Sequence, residues 1–425
     1  MAKKTKYLII STLLLVGFLL RVFFADKGLT GDLLVNAEWG QKIVQLGARD
    51  HYSRGDWYYT APVYPPFSQL VFGAAYYLFD HKYVLAQLHN IIKFPPSAFI
   101  VYFYKSGYYL LLKLPGILAD LGLSLIIYNV LLKLTKDNKK ALMAMAFYIF
   151  NPVTIFLSGL WGQTDSLVAL LGIGSFLLLN NGQVFISIPL LFLSLYFKPS
   201  WAIFIPLYFY LMFLRKSNIK SILGGVVVSF LLFLVITIPF TQGDVFAFTW
   251  DLFTKKIPLP VGILGKASNS AFNFYTIFFK IDIDFAPRFL SLLFFTILNI
   301  YSFFLVRREK DKLLGLFIGL FSIGIGGFLF MTSMLERYFF PGLTPLIILM
   351  FARPRLLWGL ILMNLIFFAN IIWSFYRRTS DEIGKPFVTN NFLVIRSLSF
   401  ISVAIYLSSL KVIQFMRGRS NLGAS

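Results

Sequence analysis

The sequence predicts an all-α polytopic membrane protein with about 12 transmembrane helices, within a range of about 10 to 14. Three observations carry that expectation. The 425-residue chain is 58% hydrophobic and only 13% charged, with a mean hydropathy of +0.76, more apolar than the surface of a soluble domain tolerates. Its apolar residues come in runs of roughly twenty, the length at which a helix rising about 1.5 Å per residue crosses the hydrocarbon core. Its 39 Lys and Arg, against 18 Asp and Glu, gather in short loops between those runs, which marks topology and excludes a nucleic-acid surface as the reason for a net charge of +21. The absence of cysteine excludes disulfides, thiol chemistry and thiolate metal sites.

The elements follow in order. MAKKTK and the apolar run after it resemble a signal peptide, but the run holds Arg21 and ends without a small-residue cleavage site, so an uncleaved first span is expected over 7 to 25. Further spans are expected over 108 to 132, 141 to 158, 164 to 180, 184 to 197, 201 to 214, 221 to 240, 286 to 306, 313 to 332, 338 to 352, 356 to 374 and 392 to 415. Those at 184, 201 and 338 are short, as tilted or broken helices are. A cytoplasmic N-terminus puts KLTKDNKK, LRKSNIK, VRREKDK, ARPR and the tail MRGRS on one side of the membrane. The same alternation puts 26 to 107, the WGQTD turn, KPSW, 241 to 285, ERYFFP and 375 to 391 on the outer side. Residues 1 to 425 read as one integral membrane domain in a cell membrane (the endoplasmic reticulum in a eukaryote), with both termini cytoplasmic and 26 to 107 inserted as a long outer loop. Within that loop Val35, Trp39, Ile43 and Leu46 recur at helical spacing, which predicts an amphipathic interfacial helix over 32 to 47. Tyr64-Pro65-Pro66 starts a second apolar helix, since Pro is tolerated in a first turn.

The residues that could carry chemistry lie at the outer ends of these spans. Asp32 either favours a helix N-terminus or offers a general base at the membrane surface. Thr164 or Asp165 can cap a span, and Trp161 fits an interfacial aromatic belt. A minimal turn, however, needs neither Gln163 nor a carboxylate. Within the second span Lys113 and Asp120 lie two turns apart on one face, and an ionisable residue at that depth costs about 2.5–3.5 kcal/mol and usually has a partner. The pair therefore reads as an internal ion pair, or Lys113 as a snorkelling lysine. Lys113, Lys198 and Arg337 bring cations suited to a phosphate to the same face as Asp32 and Asp165. His51, His81 and His89 have no metal-ligand spacing, and no nucleotide cradle or GxSxG turn is present.

The order TGD at Asp32, YPP, KLPGILAD, NPVTIFLSGLWGQTDSL, KPSWAIFIP, NSAFNFY and ERYFFP resembles the GT-C type polytopic glycosyltransferases. The likeness is to the mannosyltransferase-like branch related to the second mannosyltransferase of GPI anchors and its prokaryotic homologues. It runs over most of the chain, and WGQTDS is its most specific element. Two positions depart from the pattern: Val63 replaces an acidic residue common before YPP, and Leu335 a histidine common before ERY. The resemblance implies a GT-C fold and transfer of a hexose, mannose favoured, from a polyprenyl- or dolichyl-phosphate donor to a glycan, lipid or protein acceptor. It makes Asp32 the base, Tyr64, Trp161, Gln163, Asp165, Asn273 and Glu336 substrate contacts, and Lys113, Lys198 and Arg337 the donor-phosphate contacts, with Asp120 structural. A divalent cation bridging phosphate and carboxylate is conceivable but not required. Three other readings stand beside it: an outer-leaflet polysaccharide polymerase or ligase, a secondary transporter or lipid flippase, and a non-catalytic membrane protein. Transporters usually carry paired repeats and midplane sites, whereas the unusual residues here gather at one face.

Overall fold

A computed structural model describes residues 3–257, 265–281, 283, 285–379 and 392–415. Most of the expected outer stretch 375–391 and the basic tail lie outside these residues. Among the described residues the chain is helical, with no strand. Among the same residues eight helices are long and apolar enough to cross a membrane, so the protein is a multi-pass helical membrane protein.

Helix α1 spans Lys3–Phe24 and α2 Gly31–Leu46. They are followed by α3, Pro66–Asp80, and α4, Tyr83–Ile92, a surface helix that hydropathy did not single out. Helix α5, Ser97–Thr135, starts well before the run expected from 108. At about 58 Å it is far longer than the hydrocarbon is thick, because Lys105 and Ser106 lower hydropathy without interrupting a helix. Then come α6, Asn138–Ile149, a π-helical stretch Ile155–Trp161, α7, Asp165–Asn180, and α8, Val184–Phe197. A 3₁₀ segment, Pro199–Phe204, leads into α9, Ile205–Leu214, and α10 is Ile219–Thr237. The second half comprises the short α11, Val245–Asp251, and α12, Phe274–Phe278. It continues with α13, Arg288–Arg308, α14, Lys312–Phe330, α15, Phe340–Ala352, α16, Leu357–Thr379, and α17, Phe392–Phe415. Every run expected to span is largely helical, though the one at 141–158 is interrupted at Asn151, where α6 has ended and a new helical stretch begins. Four are shorter than a full crossing, at 165–180, 184–197, 199–214 and 340–352; the one at 165–180 was expected to be full length.

The basic loops also start helices. Asp137, Asn218 and Asp311 each accept backbone N–H groups of the following first turn, satisfying donors that lipid would leave bare. At the centre lies α14, 94% of whose apolar window is buried, against 11% for α1 at the rim. It crosses α15 backbone to backbone: a Cβ on Gly324 would stand 2.8 Å from the Gly342 Cα, the close approach small residues permit between membrane helices.

Two expectations change here. Helix α2 does not rest free on its predicted stripe; it buries Leu33, Asn36, Ala37, Trp39, Gly40 and Ile43 against α3 and α5, while Leu46 is exposed. Packing on a neighbouring helix turned the buried face by part of a turn. Asp120 is not paired with Lys113. It pairs with Arg21 at 3.1 Å, both fully buried, because α1 crosses α5 at that level and brings the guanidinium to the carboxylate.

Candidate active site

Three segments far apart in sequence meet at the end of the bundle where α7 begins. Thr30 starts α2: its hydroxyl accepts from Leu33 N at 3.2 Å and donates to the Trp161 carbonyl at 3.0 Å. Asp32 follows in the first turn, where the helix N-terminus favours a carboxylate. The π-helical stretch Ile155–Trp161, one residue wider per turn than an α-helix, delivers the Trp-Gly-Gln turn to it. Gly162 sits at φ +81°, and a Cβ there would meet Leu33 Cδ1 and Lys113 Cε at 3.0 Å, so both conformation and space require glycine. Asp32 Oδ2 accepts from Gln163 Nε2 at 2.7 Å and from Trp161 Nε1 at 3.3 Å. Arg337 Nη2 stands 3.5 Å from the same oxygen. The Asp32 side chain keeps 43% of its exposure, so the held carboxylate remains partly accessible.

Arg337 is held from behind. Its Nη1 donates to Glu336 Oε1 at 2.8 Å, its guanidinium lies 5.7 Å from the Trp161 ring, and its buried Nε has no hydrogen-bond partner. Glu336 is fully buried and accepts from the hydroxyls of Ser270 and, at 2.9 Å, Ser374. Burial opposes the Arg337 charge, but the Asp32 and Glu336 carboxylates outweigh it and hold its pKa well above the ordinary value.

Beside this centre lies a cavity of about 390 Å³. Tyr64, Asp165, Lys198, Arg337 and Tyr338 make its polar end, and Val63, Ile203, Phe328, Met331, Met334 and Leu335 much of its apolar wall. Lys198 Nζ donates to Asp165 Oδ1 at 2.9 Å, both nearly buried, and lies 5.7 Å from the Tyr64 ring. Burial opposes the Lys198 charge, but Asp165 foremost, then Tyr64, raise its pKa above the ordinary value, so it stays an ammonium. Asp165 Oδ2 is buried without a hydrogen-bond partner, an unsatisfied acceptor in a residue that lines the cavity. The capping reading fails for this residue: Thr164 holds the N-cap position without a side-chain bond, and the Asp165 carboxylate is turned to Lys198 instead.

Of the sequence-expected residues, Asp32, Trp161, Gln163, Glu336 and Arg337 form the first centre, and Tyr64, Asp165 and Lys198 line the adjoining cavity. Two belong to neither. Lys113 Nζ donates to the carbonyls of Ala25 at 2.7 Å, Gly28 at 3.0 Å and Leu160 at 2.7 Å. An ammonium has three donors, so all are spent on tying the end of α1 to the Trp161 turn, and none is left for a phosphate. Asn273 is fully buried as the N-cap of α12, accepting from Tyr275 N at 3.1 Å, and serves the fold there. Sequence reasoning missed Thr30, Ser270 and Ser374, which carry no signal in isolation. It also missed the role of Arg21, whose depth in an apolar run was the available signal.

Fold and site define the class at one level: a multi-pass helical membrane protein with a carboxylate–guanidinium centre beside a cavity that is cationic at one end and apolar along its wall. No family model matches the chain, and no curated protein matches it.

Proposed function

We propose that the protein is a glycosyltransferase of the GT-C type, which moves a hexose, mannose favoured, from a polyprenyl- or dolichyl-phosphate carrier to an acceptor hydroxyl at the outer membrane face. In this reading twelve helices span the membrane and both termini are cytoplasmic. The observation that carries the reading is the pairing of an oriented, half-exposed Asp32 carboxylate with a neighbouring cavity that offers Arg337 and Lys198 at one end and an apolar wall beyond them. An acceptor's proton passes to Asp32 as its oxygen attacks the anomeric carbon. The bond from that carbon to the phosphate oxygen breaks on the opposite face, with inversion. Arg337 and Lys198 meet the charge that develops on the departing lipid phosphate, and the apolar wall suits its prenyl chain. Asp165 Oδ2 accepts a sugar hydroxyl. Val63 and Leu335, the two departures from the family pattern, both line this cavity, so the donor site differs where the sugar is read. The same contacts argue against a transporter, whose substrate site belongs near the midplane and not at the end of α7.

The test is transfer of a labelled hexose from a polyprenyl-phosphate donor by the purified protein. Asp32→Asn should lower kcat by about 10²–10⁴-fold with little change in donor KM, while Asp165→Asn should raise KM for the sugar donor. Full activity of a folded Asp32→Asn variant would remove the proposed base.

A further inference from the structure

The opposite end of the bundle holds a second built cavity, of about 450 Å³. It opens where α5 and α7 finish and α14 begins, at the basic loops. Helix α7 has 16 residues between Asp165 and Asn180, so this cavity lies about 24 Å along the helix from the candidate active site. Its rim carries Lys133 and Asn129 from α5, Asn180 and Asn181 from the end of α7, and Asp311 and Lys312 from the start of α14. Its floor is aliphatic, with Val130 and Leu177.

The polar groups are arranged for an anion. Asp311 Oδ1 is committed to the helix start, accepting from Leu313 N at 2.8 Å and Leu314 N at 3.0 Å. Behind the rim Arg215 Nη2 donates to Asn180 Oδ1 at 2.9 Å and to the Lys312 carbonyl at 3.2 Å, which commits the Asn180 carbonyl and leaves its NH₂ as a donor. The Arg215 Nε is buried without a partner. Lys133, Lys312 and Arg215 thus stand against two carboxylates, Asp311 at the helix start and Glu309, which accepts from Asp311 N at 3.3 Å and pairs with Arg353 at 3.5 Å. We infer that this cleft binds the phosphodiester headgroup of an anionic lipid, with the ammonium groups and side-chain amides on the phosphate and the first carbons of the acyl chains against the aliphatic floor. A free phosphate shares the anionic chemistry but has nothing to place on that floor.

The test uses the full-length protein in neutral detergent, titrated separately with phosphatidylglycerol, phosphatidylcholine and inorganic phosphate while its unfolding temperature is followed. Phosphatidylglycerol alone should raise that temperature. Lys133→Ala/Lys312→Ala should weaken the apparent Kd on the order of thirtyfold, about fivefold for each cation removed, whereas Lys139→Ala/Lys140→Ala in the first turn of α6 should leave it unchanged. Should the double variant misfold, Lys133→Gln alone, at an exposed position, should cost about fivefold. The inference is overturned if the Lys133/Lys312 variants bind like the native protein, if phosphatidylcholine does as well as phosphatidylglycerol, or if inorganic phosphate reproduces the shift, which would make the ligand a soluble phosphate.

Discussion

Removing Arg21 should destabilise the protein far more than any loss at its surface. The guanidinium is fully buried and donates through Nε to Asp120 Oδ2 at 3.1 Å and Ser158 Oγ at 3.2 Å. Nη1 donates to the carbonyls of Gly17 at 3.1 Å and Ile149 at 3.0 Å, and Nη2 to Thr154 Oγ1 at 2.9 Å. Asp120, also fully buried, accepts further from Tyr148 at 2.9 Å and Ser158 at 2.6 Å. Arg21→Met leaves that carboxylate without its counter-charge, at a cost of about 3–5 kcal/mol, and Asp120→Leu strands the guanidinium at a similar cost. Replacing both removes two desolvation penalties with the one attraction, so the double variant should lose only about 1–3 kcal/mol, for the hydroxyls and carbonyls left with one partner fewer. Denaturant unfolding of the four proteins in mild detergent closes the cycle. Single variants costing under about 1 kcal/mol, or a double variant equal to the sum of the singles, would refute the account of a coupled buried pair.

Three further outcomes are expected. Gly162→Ala places a Cβ at φ +81° and 3.0 Å from two side chains, so it should cost roughly 1–3 kcal/mol and displace Gln163 from Asp32; unchanged unfolding and unchanged sugar transfer would count against the turn as the support of that carboxylate. Burial pushes the His51 pKa down to about 4, so between that value and about 6.5 the unfolded chain holds a proton that the folded one lacks. Stability is therefore intact above about pH 6.5 and falls on acidification towards 4, by about 2–3 kcal/mol, while His51→Phe should flatten that slope; equal pH profiles would remove His51 as its source. Gly342→Ala brings a Cβ to 2.6 Å from Ile325 Cδ1 and 2.9 Å from its backbone nitrogen, so α14 and α15 must part and the unfolding free energy should fall by roughly 1–3 kcal/mol, against no measurable change if the helices have slack.

The helices were legible because lipid enforces them. A run of some twenty apolar residues has no other way to satisfy its backbone in hydrocarbon, and the runs from 7 to 25 through 392 to 415 appear as helices close to their expected bounds, except that the one at 141 to 158 is split at Asn151. Where bounds shifted, as at Ser97, a few polar residues on one side of a helix had lowered hydropathy without changing backbone hydrogen bonding. The second apolar helix was readable from Tyr64-Pro65-Pro66 because proline's fixed φ suits a first turn.

Residue type and topology alone put Asp32, the Trp-Gly-Gln turn, Asp165, Lys198 and Arg337 at one end of the chain's helices, since charge is tolerated there and expensive elsewhere. Which of them touch was decided by tertiary structure. Lys113 and Asp120 share a face of one helix, and nothing in their spacing says that one is consumed by three carbonyls and the other by Arg21. Those partners come from α1 and from the π-helical turn, brought up by helix crossing angles that local sequence does not encode. For the same reason Asn273 reads as a polar residue near a site and proves to be a cap. Composition and hydropathy are one-dimensional and determine where a charge can lie along the membrane normal; the identity of its partner depends on packing between segments more than a hundred residues apart, as between Asp32 and Gln163, and only the folded bundle settles it.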